Sequence, residues 1–85
     1  AVQDEAQSSD TDEIIERLYK RGDYKQTVTE LSRLIPSLEG KDAAKARYYI
    51  GRSLIELKKY RQAAGYLSDE GVRKYYPREA DFWRD

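Results

Sequence analysis

Residues 47–67, RYYIGRSLIELKKYRQAAGYL, decide how this chain folds. Together with Ala46 just before them, Ile50, Leu54 and Leu57 recur at spacings of four, four and three, the apolar stripe of an amphipathic helix. Lys58 and Lys59 interrupt the stripe and suit the negative end of the helix dipole, so the helix is expected to stop there. A second stripe starts at Tyr60 and continues through Ala63 or Ala64 to Leu67. Two short amphipathic helices with almost no linker must fold back on each other, because neither can bury its stripe alone. Gly51 and Ala63 are small enough to let the two backbones approach where they cross.

The same plan occurs once earlier. Ile14, Ile15 and Leu18 form a stripe, Gly22-Asp23-Tyr24 makes a turn, and Val28, Leu31 and Ile35 continue on a second helix. Tyr24 and Tyr60 stand 36 residues apart at equivalent places, and both are expected to plug their turns. An internal period of this size marks helical repeats. The expected class is all-α, antiparallel hairpins stacked as a short solenoid.

These residues resemble the tetratricopeptide repeat family: Gly22-Asp23-Tyr24 with Val28 and Leu31, then Ile50-Gly51, Leu54, Tyr60, Ala63 and Leu67, closing near Pro77. The resemblance covers residues 11–85 and implies hairpins at about 11–36 and 42–76, with 78–85 opening a further helix. In a longer array, or with a partner, that last helix would be completed. The pattern departs from the family at Ile15 and Thr27, where small residues are usual. It also runs two residues too far before Pro77, and Ser68-Asp69-Glu70-Gly71 is where a break would absorb the surplus.

Residues 1–10 are polar and lack apolar periodicity, so they are read as a disordered acidic leader. Asp10 or Thr11 would then cap the first helix, which runs to about Lys20. Helix two is expected over 25–35, ending at Pro36. Helix three is expected over 43–58 with Asp42 as cap, and helix four over 61–75. The net charge of zero hides an asymmetry. Residues 1–16 carry six acids and no base, whereas 17–78 carry fifteen bases against seven acids. No apolar run approaches the ~18 residues of a membrane span.

The chain has neither His nor Cys, which removes the usual general base, the thiolate nucleophile and the common zinc ligands together. No loop has the spacing of a calcium site or a phosphate cradle. The expectation is a protein that is not an enzyme and uses no cofactor or metal. The eight tyrosines are its most unusual feature, and they cannot all be core. Tyr48, Arg52 and Ile55 share one flank of helix three, and Glu16 and Tyr19 hold the comparable place on helix one. In the family that flank lines the concave groove. Aromatic residues and arginine are also enriched at protein interfaces. Glu16, Tyr19, Tyr48, Arg52 and Ile55 are therefore the candidate surface for a protein or peptide partner. Tyr75, Tyr76, Phe82 and Trp83 form a second candidate at the open end of the array, suited to weak self-association.

Two alternatives come from the same residues. One is nucleic-acid or polyanion binding through Lys41, Lys45, Arg52, Lys58, Lys59 and Arg61; the other is self-assembly through the open ends. The family's carboxylate-gripping mode fits poorly, because the chain has no Asn and places Asp12 and Glu16 where basic or amide groups are needed. The Lys-Tyr-Tyr-Pro ending is similar to repeats in bacterial envelope-associated members, which favours the periplasm over the cytoplasm.

Overall fold

A computed structural model describes residues 10–78. All regular structure among them is helical. Helix α1 covers residues 10–19 and closes with a π-helical turn, Ile15–Tyr19. Helix α2 is Tyr24–Leu34, extended by a 3-10 turn at Ile35–Ser37. Helices α3, α4 and α5 are Gly40–Glu56, Tyr60–Leu67 and Glu70–Tyr75. The leader, apart from Asp10, and the segment 79–85 lie outside the described residues.

Both hairpin turns are built alike. After α1, the Asp23 N–H donates to Leu18 O (2.9 Å) and the Gly22 N–H to Tyr19 O (3.0 Å). After α3, the Lys59 N–H donates to Leu54 O (2.8 Å) and the Lys58 N–H to Ile55 O (2.9 Å). Each is the paired closure that ends a helix on a left-handed residue. Gly22 fills that place with φ +85° and Lys58 with φ +64°. The equivalent hydrogen bonds therefore fall 36 residues apart, as do Tyr24 and Tyr60.

Helix α3 is the centre of the molecule. Ala46, Ile50 and Leu54 are buried and meet Ile14 of α1, Leu31 of α2 and Ala63 of α4 in one core. A second core joins Tyr48, Leu67 and Val72, so α5 also packs on α3. Gly51 is required where α4 crosses: a Cβ there would stand 2.7 Å from Leu67 Cδ2 and 3.6 Å from Ala63 O. The α4 stripe runs through Ala63, and Ala64 faces outward.

Several expectations are corrected. Tyr60 does not plug its turn; it is 60% exposed. Side chains on a helix lean toward its N-terminus. Tyr60, the first residue of α4, therefore leans past the end of α3 and stays largely in water. Tyr24 escapes this because the Tyr19 ring lies 5.5 Å away, edge-on. Helix α3 begins at Gly40, whose φ of +54° lets the turn start early, and Asp42 lies inside the first turn without capping it. Residue 10 is already helical, and the buried Thr11 Oγ1 has no hydrogen-bond partner, so Thr11 is not a cap. The π turn, marked by the Lys20 N–H bonded to Ile15 O, was not anticipated. The single helix expected over 61–75 is two helices. They break at Ser68-Asp69, within the stretch expected to hold the surplus, and Asp69 Oδ2 accepts from the Gly71 and Val72 N–H groups to start α5. Thr27 fits a buried position because its hydroxyl donates to Asp23 O at 2.8 Å.

Candidate functional site on the flank shared by α1 and α3

Helices α1 and α3 lie side by side and run in the same direction. The Lys45 ammonium donates to Asp12 Oδ1 at one end, and the Arg52 guanidinium lies 5.6 Å from the Tyr19 ring at the other. Between them Asp12, Ile15, Glu16, Lys20, Lys45 and Tyr49 line a hollow of about 290 Å³. Its charges are paired in place: Lys20 reaches Glu16 Oε2 at 2.6 Å, and Lys45 holds Asp12. These bonds raise both lysine pKa values above the ordinary 10.5, through the Glu16 hydrogen bond for Lys20 and the Asp12 hydrogen bond for Lys45.

Beside the hollow the tyrosines form a chain of touching rings. Tyr49 stands edge-on to Tyr19 (4.9 Å) and to Tyr48 (5.2 Å), and Tyr48 stacks on Tyr76 at 4.5 Å with an interplanar angle of 3°. Arg52 lies within cation–π reach of both Tyr19 and Tyr48, the latter at 5.7 Å. Burial raises the Tyr19 pKa, and the nearby Arg52 charge offsets part of that rise. Tyr19 is therefore neutral at physiological pH.

Of the residues named from sequence, the structure gathers Glu16, Tyr19 and Arg52 on this flank. Glu16 is exposed, and Tyr19 and Arg52 are half-buried. Ile55 is half-buried at the edge of both cores. Tyr48 is a correction: it is only 4% exposed, because Tyr76 covers its face. The neighbouring tyrosine takes its place, since Tyr49 is half-buried and lines the hollow. Tyr49, Lys20 and Asp12 were missed as site residues, and Lys45 was named only for the polyanion alternative. A signal existed, because Lys45, Tyr49 and Arg52 repeat at spacings of four and three, as do Asp12, Glu16 and Tyr19.

At the second candidate surface Tyr75 is 39% exposed with Lys74 over its ring at 5.4 Å, and Tyr76 is engaged with Tyr48. Phe82 and Trp83 lie outside the described residues. Among the described residues no three acidic side chains are gathered to hold a metal ion, and no helix is long and apolar enough to cross a membrane. No family model, curated protein or solved structure matches the chain.

Proposed function

We propose that this protein is a non-catalytic interaction module, a short array of tetratricopeptide-like hairpins that binds a peptide or protein along the flank shared by α1 and α3. The observation that carries this reading is the half-exposed array of Tyr19, Tyr49 and Arg52 beside a hollow with paired charges. Rigid rings and a guanidinium held by neighbouring rings offer contact area at low entropic cost, which is how interface anchors work. The paired charges leave the hollow without a strong field of one sign, so it suits a partner of mixed polarity. The polyanion alternative has less support. Lys45 is paired with Asp12, Arg52 is engaged with tyrosines, and Lys41 stands at the far end of α3 from Lys58, Lys59 and Arg61.

Selection of binders from a displayed peptide library tests this reading. Peptides enriched on the wild-type protein should lose about 30-fold in affinity with Tyr49→Ala, the scale of an interface anchor. They should be unaffected by Gln62→Ala on α4. Binders indifferent to Tyr49→Ala and Arg52→Gln in folded variants would place the interface elsewhere.

A further inference from the structure

A different surface carries an inference of its own, independent of the α1–α3 flank. Because α1 and α3 run in the same direction, the turns that follow them stand side by side at one end of the molecule. Those turns and the first residues of α2 and α4 carry Arg21, Lys25, Lys58, Lys59 and Arg61, and all five are exposed. None of the five has an ion-pair partner among the described residues. This contrasts with Arg17, Lys20, Arg33, Lys45 and Arg47, each of which is paired with a carboxylate. The only acids on the same segments are Asp23 and Glu56, and Asp23 is occupied in receiving the Gln26 N–H at the start of α2. Tyr60, between Lys59 and Arg61 in the chain, has 60% of its surface in water. The arrangement repeats: Tyr24-Lys25 and Tyr60-Arg61 are the first two residues of α2 and α4, 36 residues apart.

We propose that this end of the molecule docks on an anionic lipid surface. Both turns follow helix ends, and the N–H groups of residues 20–23 and 57–59 are already bonded back into the helices. What they offer outward is mainly side chains: long flexible cations spread over two neighbouring tips, with an exposed tyrosine on the second. A plane of anionic headgroups meets such a convex, two-tipped patch at every cation. A single extended acidic peptide or nucleic-acid strand would need a groove to follow. Tyrosine sits well at headgroup depth, with its ring toward the apolar side and its hydroxyl toward water. Each cation near an anionic membrane strengthens binding about fivefold, and the attraction falls with salt. The proposed contact is a surface one; among the described residues no helix is long and apolar enough to cross the bilayer.

Sedimentation of the protein with vesicles tests the proposal. Binding should appear with phosphatidylcholine vesicles that contain phosphatidylserine, be absent with phosphatidylcholine alone, and weaken as salt is raised. Lys25→Gln, Lys59→Gln and Arg61→Gln together should lower the affinity roughly 100-fold. Lys41→Gln, an unpaired cation at the far end of α3, should leave it unchanged. Tyr60→Ser should weaken vesicle binding several-fold with no loss of helical circular dichroism. Equal binding to both vesicle types, or serine-lipid binding that survives the triple substitution, would overturn the proposal. So would an oligonucleotide or polyglutamate that binds more tightly than the vesicles through the same residues, since the partner would then be a soluble polyanion.

Discussion

The two hairpin turns hold one conformation with two different residues, and this gives a quantitative test. Lys58 adopts φ +64° at the position where the first turn has Gly22 at φ +85°. A residue with a Cβ in the left-handed region costs about 1–2 kcal/mol, because the Cβ crowds the following carbonyl. Glycine avoids that cost but loses about 0.5–1 kcal/mol through the greater freedom of the unfolded chain. Among the described residues the Lys58 side chain has no hydrogen-bond or ion-pair partner, so no polar contact is lost on replacing it. Lys58→Gly should therefore stabilise the fold by about 0.5–1 kcal/mol, and Gly22→Lys should destabilise it by a similar amount. In a domain this small, that corresponds to a melting shift of about 4 °C in opposite directions. Urea denaturation followed by circular dichroism measures both. A Lys58→Gly protein less stable than wild type, with an unchanged denaturant slope, would show that the turn is not closed on a left-handed residue, and the equivalence of the two hairpins would fail.

Three further outcomes follow from the packing. Gly51→Ala gains about 1 kcal/mol of helix propensity but drives a methyl to 2.7 Å from Leu67 Cδ2, an overpacking worth about 1–3 kcal/mol; a net loss in urea melts is expected, partly restored by Leu67→Val. Tyr48→Ala should cost about 3 kcal/mol as a buried, stacked ring, whereas Tyr60→Ala should cost less than about 0.5 kcal/mol; similar losses in the two melts would contradict their placement. Stability should hold to about pH 10 and then fall. Lys45 has a pKa raised above the ordinary 10.5, so its pairing contributes fully below that value and is lost as pH rises through the folded one. Tyr19, raised above 10.0, adds to the fall because the folded state keeps its proton longer, and Tyr19→Phe should flatten the alkaline limb of a pH series of melts.

The parts of the fold legible in the sequence are those set by local periodicity and by small residues. The stripe Ala46-Ile50-Leu54, the close approach at Gly51, the turn at Gly22 and the break at Ser68-Asp69 all follow from residue spacing and turn chemistry. What stayed hidden depends on where other elements end. Periodicity assigns Tyr60 to the stripe of α4, but only the end of α3 at Glu56 reveals that most of the ring stays in water. Tyr48 looks exposed until Tyr76, just past the end of α5, is laid on its face. Tyr49 and Lys45 became part of the candidate site only when α1 was placed parallel to α3, bringing Tyr19 and Asp12 to them. The early start of α3 came from a left-handed Gly40, a backbone state that the residue type permits without requiring.

The central claim is that the flank between α1 and α3 is the binding surface. Nuclear magnetic resonance of the isotope-labelled protein, titrated with a peptide selected on it, tests that claim most directly. The account predicts that the largest shifts fall on Asp12, Glu16, Tyr19, Lys45, Tyr49 and Arg52, with the outer faces of α4 and α5 unmoved. Shifts concentrated on α4 and α5, or on the turn at Lys58–Arg61, with the α1–α3 flank silent, would contradict it.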